Sequence, residues 1–135
     1  DLKQSPIPPD SDTYKRARHV ITENERTLAM AKALESNDIT QISHLMRASH
    51  LSMKNDFAIT TDNIDFLVRT VDKALGTEGG VRMTGGGFGG CVVALVPNER
   101  VQEIAQLVAN TYQAKTGTKE NIYLCKAAAG TGQIN

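Results

Sequence analysis

Between Arg82 and Cys91 the chain reads Arg-Met-Thr-Gly-Gly-Gly-Phe-Gly-Gly-Cys, and five of its 11 glycines fall in that window. The loop itself contains no acid, base or nucleophile. It offers bare backbone, because glycine reaches positive φ at little cost and lets another group come close. Exposed N–H groups in such a loop suit an anion such as a phosphate. Gly85, Gly87 and Gly90 meet the G-x-G-x-x-G spacing of dinucleotide sites, but that fingerprint must open a helix. Cys91 to Val96 reads instead as a buried apolar strand, so no helix dipole awaits a pyrophosphate. No Lys-Ser or Lys-Thr pair closes the loop, which excludes the Walker pattern. Gly87-Phe88-Gly89 also resembles the start of an RNA-binding strand. That reading fails because Cys91, Val93 and Leu95 follow, where base stacking needs further aromatics.

What remains is strand, loop, strand: Val81 to Thr84, Gly85 to Gly90 and Cys91 to Val96. A glycine-rich hairpin holding no ligand satisfies this pattern. Two residues suffice for a hairpin turn, however, and six of this composition exceed what a turn requires. Thr84 either turns its hydroxyl to the loop or simply fits a strand end. Arg82 either offers charge to a phosphate or lies solvated on the strand.

The elements that must position this loop follow from periodicity. Residues 1–12, with Pro6, Pro8 and Pro9, read as an extended lead-in. Ser11 or Asp12 caps a helix to about Ser36, with an apolar stripe of Ala17, Val20, Ile21, Leu28, Ala31 and Leu34. After a break at Asn37-Asp38, a second helix carries Ile39, Ile42, Leu45, Met46 and Met53 on one face. Asp56 to Thr60 connects to a third, capped by Thr61 or Asp62, burying Ile64, Leu67, Val68, Val71 and Leu75 and ended by Gly76. A fourth spans about Asn98 to Lys115, with Val101, Ile104, Leu107, Val108 and Tyr112 inward. Asn121 to Ala127 reads as a closing strand.

The other chemistry-bearing residues read as structural. His19, His44 and His50 lack metal-ligand spacing, and no metal site is expected. Asp56 and Asp62 read as caps. Lys15, Arg16 and Arg18 form one solvated helix end without aromatics to stack bases. Met46, Met53 and Met83 read as core filler. Cys91 and Cys125 read as reduced and buried rather than disulfide-bonded. The 135 residues match one domain, and 15 basic against 15 acidic side chains give zero net charge. Such a chain buries roughly two-thirds of its unfolded surface. Neither a nucleic-acid nor a membrane partner is expected, and the expected compartment is the cytoplasm.

Arg82-Met83-Thr84-Gly85-Gly86-Gly87-Phe88-Gly89-Gly90-Cys91 resembles the third signature motif of galactokinases. These are a branch of the galactokinase, homoserine kinase, mevalonate kinase and phosphomevalonate kinase (GHMP) superfamily. Arg16-Ala17-Arg18-His19-Val20 followed by Glu23-Asn24-Glu25-Arg26-Thr27 is similar to a long helix of that family. Ser49-His50-Leu51-Ser52-Met53-Lys54-Asn55-Asp56-Phe57 is similar to its S-H-x-S-x-x-x-D-[FY] segment. Lys115-Thr116-Gly117 and Gly130-Thr131-Gly132 fit the bacterial form. The resemblance covers nearly the whole chain after the first dozen residues.

The resemblance implies an α+β, ferredoxin-like C-terminal GHMP kinase domain over residues 13–135, a split βαβ with extra N-terminal helices. It implies that the first sheet strand lies outside this chain, leaving an edge to be covered by the lead-in or by self-association. For the intact enzyme it implies phosphoryl transfer from ATP to the 1-hydroxyl of galactose with magnesium, in carbohydrate metabolism. The sugar segment, the phosphate loop and the catalytic residues of the family have no counterpart here. No catalytic residue is therefore expected on this chain, and alone it should be inactive and bind ATP and Mg2+ weakly. Thr84, Gly85, Gly86, Gly87, Phe88, Gly89 and Gly90 are then expected to support the phosphate loop, ahead of touching nucleotide directly, with Arg82 and Met83 as weaker members. A standalone regulatory ferredoxin-like module and another GHMP kinase are the alternatives.

Overall fold

The computed structural model describes residues 2–126. Helices α1 (Asp12–Glu35), α2 (Ile39–Ser52) and α3 (Asp62–Leu75) precede strands β1 (Gly80–Thr84) and β2 (Cys91–Leu95), and α4 (Val101–Thr116) follows. Each of the first three helices begins where a short polar side chain takes an orphan N–H. Ser11 accepts from the amide of Tyr14 at 3.3 Å, Asp38 from Gln41 at 2.9 Å and Thr61 from Ile64 at 3.4 Å. Gly76 and Gly117 stop α3 and α4. The lead-in is not extended throughout: Leu2–Gln4 forms a 3-10 turn that packs on α1.

The two strands pair antiparallel, with Gly80 opposite Leu95 and Thr84 opposite Cys91. Both α2 and α3 pack against β1, α4 packs on α3, and α1 packs on α2. The main core joins Met53, Ile64, Val68, Val71, Leu75, Val81, Met83, Ile104 and Val108. A smaller cluster of Ala33, Ile42 and Met46 seals α1 to α2. Arg47 of α2 grips Asp72 of α3 with Nε–O distances of 3.0 Å to both carboxylate oxygens, and Ser43 donates to the Gly76 carbonyl at 3.0 Å. These bonds tie α2 to the end of α3 just before the chain enters β1.

Three expectations are corrected by the packing. The apolar stripe of α1 faces outward: Val20, Ile21, Leu28 and Leu34 are 53, 44, 70 and 54% exposed, while Tyr14 and Ala33 are buried. The face that docks instead carries Arg16, His19, Glu23, Arg26, Met30 and Ala33, spaced alternately by three and four, and much of it is polar. The closing strand does not form. Residues 121–126 belong to no regular element, and Ile122, Tyr123 and Leu124 stay exposed; Ala127 and Gly130-Thr131-Gly132 lie outside the described residues. In a split βαβ arrangement the last strand pairs beside the first, and among the described residues no strand precedes α1. A strand without an edge to pair with leaves its own amides unsatisfied by a ladder. The same lack leaves β2 uncovered, so Cys91 is exposed and not buried; Cys125 is exposed as well.

Candidate functional site

The six residues between the strands adopt a conformation that ordinary side chains resist. Gly85, Gly87, Gly89 and Gly90 have φ of +93, +83, +129 and +90°, and Phe88 joins them at +58°. Phe88 is 76% exposed, an aromatic held at the loop tip with little to cover it. The loop is gripped from one side: the Phe88 N–H donates to the Ile59 carbonyl at 2.6 Å. The N–H groups of Gly86, Gly87 and Gly89 have no hydrogen-bond partner among the described residues. An open surface of unpaired amides, free of side chains, is what a neighbouring backbone or a phosphate can approach.

Arg82, Met83 and Thr84 lead into this loop along β1. Arg82 is not simply solvated. It donates to Ser49 Oγ at 2.6 Å and stands 3.5 Å from Glu23 Oε2. Met83 is fully buried in the main core, and Thr84 ends the strand opposite Cys91. Ser49 in turn donates to Glu23 at 2.7 Å. Burial alone would raise the Glu23 carboxyl, but hydrogen bonds from Ser49 and Arg26 hold it below its ordinary range.

The next residue along α2, His50, fixes the strand itself. Its Nδ1 accepts from the Met83 N–H at 3.3 Å, and its Nε2 faces Asp65 Oδ1 at 3.2 Å. An Nδ1 that accepts a backbone proton carries none of its own, so the ring is the neutral Nε2–H tautomer. Burial pushes the His50 pKa below its ordinary 6.5, against the pull of Asp65, and Lys54 and Arg82 add to the lowering. The stability consequence has a definite sign. Between the lowered folded pKa and 6.5 the unfolded chain binds a proton that the folded chain refuses, so stability is fully present above 6.5 and is lost as pH falls. His19, also lowered by burial, acts in the same direction. The urea midpoint is expected to drop between neutral and mildly acidic pH, and His50→Gln is expected to flatten that drop. An unchanged midpoint in the wild type would remove His50 from this account.

Asp56 is not a helix cap. It is 8% exposed and pairs with the Arg18 guanidinium, while Arg16 donates to its carbonyl. Ser52 Oγ donates to Asp56 Oδ2 at 3.0 Å and lies 2.9 Å from His19 Nδ1. Burial would raise Asp56, but the hydrogen bonds from Arg18 and Ser52 keep it below its ordinary value. Arg16 and Arg18 therefore do not form a solvated end; they anchor α1 to the segment that follows α2. Ser49, Ser52 and Asp56 are spaced three and four apart, one polar stripe running from α2 into the turn that follows it. That stripe was the sequence signal for partners elsewhere in the fold.

Comparison with known proteins agrees with this arrangement. A galactokinase from Actinobacillus succinogenes is 51% identical over 124 residues, covering 92% of this chain and 32% of that protein. The crystal structure of Lactococcus lactis galactokinase complexed with galactose superposes with a TM-score of 0.78 at 36% identity, covering 87% of this chain and 30% of that one. The chain thus spans about a third of the length of the curated relative it matches. The family model described as GHMP kinases C terminal matches residues 30–114, which hold the polar stripe of α2, the hairpin and the glycine-rich loop. With fold, loop and sequence in agreement, the chain belongs to the C-terminal domain family of the GHMP kinases.

Proposed function

We propose that this chain is the C-terminal domain of a galactokinase, in which the whole protein transfers the γ-phosphoryl group of ATP to the 1-hydroxyl of galactose. The observation that carries this reading is 51% identity to a galactokinase across the loop and every element that holds it. Thr84, Gly85, Gly86, Gly87, Phe88, Gly89 and Gly90 form one wall of the active site, whose other walls belong to polypeptide outside the described residues. Phosphoryl transfer depends mostly on positioning and charge stabilisation, so a loop without reactive side chains can still govern rate. The described residues hold no group of three or more His, Cys, Asp or Glu able to hold a metal ion. Nor does any helix among the described residues have the length and apolar character to cross a membrane.

Between helices α1 and α2 and the hairpin face that carries Arg82 and Val93 lies a groove of about 440 Å3, lined in part by Met30, Leu34, Leu45 and Met46. In the separated chain the open edge of β2 favours association of copies. The test is a phosphoryl-transfer assay on the full-length protein and on the separate chain, with sedimentation of the latter. Galactose 1-phosphate from the full-length protein and none from the chain is expected. Turnover by the separate chain would overturn the shared-wall reading. Turnover of the full-length protein on a different small alcohol would move it to another branch of the family.

A further inference from the structure

Among the described residues, the glycine-rich loop is held to the rest of the domain by one backbone hydrogen bond, Phe88 N–H to the Ile59 carbonyl at 2.6 Å. Both ends of that bond are unusual. Phe88 sits at φ +58°, and Ala58, just before Ile59, sits at +56°. Left-handed conformations are uncommon outside glycine and persist only where the surroundings impose them. Of three such residues among those described, two flank this single contact.

The surroundings of Ala58 identify what imposes its conformation. Met53–Phe57 is a π-helical turn closing α2, and Ala58 caps it. Both the Ala58 and the Ile59 amides bond to the Met53 carbonyl, the latter at 3.1 Å. Single π turns in otherwise regular helices recur at functional places. This turn is held from α1 at several points. Arg18 pairs with the Asp56 carboxylate, Arg16 with its carbonyl, and the His19 ring stacks on Phe57 with centroids 4.5 Å apart. Ser52 closes the set by donating to Asp56. Residues 18 and 56 lie far apart in sequence, so α1 reaches the loop through a short rigid chain: Arg18, Asp56, Ala58, Ile59, Phe88.

We infer that Asp56 is a positioning residue for the glycine-rich loop, which it orients through the Ala58 turn and the Ile59 carbonyl. Its effect on turnover rests on the loop being an active-site wall; its effect on the loop does not. No side chain of the chain Arg18 to Phe88 needs to reach the substrate. A displacement of about 1 Å in a positioning group costs roughly a hundred-fold in rate, so a small slackening here suffices.

The test uses Asp56→Asn in the full-length protein, with amide hydrogen exchange and steady-state kinetics measured on the same preparation. Exchange at the Phe88 amide is expected to quicken about ten-fold or more while the Met83 amide, bonded separately to His50, keeps its rate. A fall in kcat of about ten- to a hundred-fold with little change in the KM for sugar is expected to accompany it. Arg18→Gln, at a side chain 44% exposed, gives the same pattern with less demand on folding. Unchanged Phe88 exchange in both variants overturns the proposal, as does equal quickening at Phe88 and Met83, which marks general loosening. Selective quickening at Phe88 with wild-type kcat supports the link from Asp56 to the loop. That result instead overturns the loop's place in the active site.

Discussion

Gly87→Ala in the full-length protein is expected to lower turnover about a hundred-fold, whereas Gly86→Ala leaves the loop's own conformation intact. The two glycines are neighbours in sequence but not in circumstance. A Cβ at Gly87 would stand 2.7 Å from the Ile59 Cβ and 2.9 Å from the Ile59 carbonyl oxygen, with φ at +83°. That oxygen accepts the one hydrogen bond that grips the loop among the described residues, and backbone cannot swing aside as a flexible side chain would. Left-handed backbone adds roughly 1–2 kcal/mol for a residue with a Cβ. The loop must shift, and the unpaired amides of Gly86 and Gly89 shift with it. At Gly86 no positive φ arises and nothing lies within 4 Å of the added carbon. The domain by itself places no demand for glycine there. Any loss of turnover in Gly86→Val, with folding unchanged, must therefore come from substrate or polypeptide approaching from outside the described residues. Kinetics and melting curves of the variants check this. A folded Gly87→Ala enzyme with wild-type turnover would take the loop out of the mechanism.

Met83→Ala is expected to cost about 2–5 kcal/mol of stability, the range for truncating a fully buried methionine. Met83 lies next to the loop in sequence, and by resemblance it was grouped with the site. Its side chain is 0% exposed and packs among the residues of α3, α4 and β1 in the main core. Removing it opens a cavity that rigid neighbours fill only in part. Turnover per folded molecule is expected to stay near wild type, since the strand's grip on the loop runs through its backbone and His50. Urea denaturation with active-site titration separates the two effects. Met83→Leu, which keeps volume, is expected to cost under about 1.5 kcal/mol. A variant with full stability and depressed turnover would return Met83 to the site.

Much of the architecture was legible from the chain. Short polar caps at Ser11 and Thr61 start two helices, a break at Asn37-Asp38 separates α1 from α2, and Gly76 ends the third. The stripe of Ile64, Val68, Val71 and Leu75 named the face of α3 that is buried. The hairpin and its six-residue loop followed from glycine density between two apolar runs. These features are local: each needs only the residues within a turn or two. Reading α1 by the same rule failed, because its apolar stripe and its docking face are different sides of the helix. Hydrophobic periodicity assumes that the covered side is the apolar one. Here Arg16, His19 and Glu23 find partners on α2, the π turn and β1, and no local pattern announces partners so distant in sequence. Asp56 misled for the same reason, since a carboxylate near a helix end resembles a cap until Arg18 is placed beside it.

The sequence by itself determined where the helices and the hairpin lie and that the loop must be glycine-rich. Backbone torsion preference, capping and periodicity act over a few residues and leave marks in composition. Only the tertiary structure decided how the loop is held. The contact of Ile59 with Phe88, the closed space beside Gly87 and the reach of Arg18 to Asp56 join residues tens of positions apart. Such contacts depend on helix packing angles and on a strained turn, which no short stretch of sequence encodes. The loop's character is therefore local, while its geometry belongs to the fold.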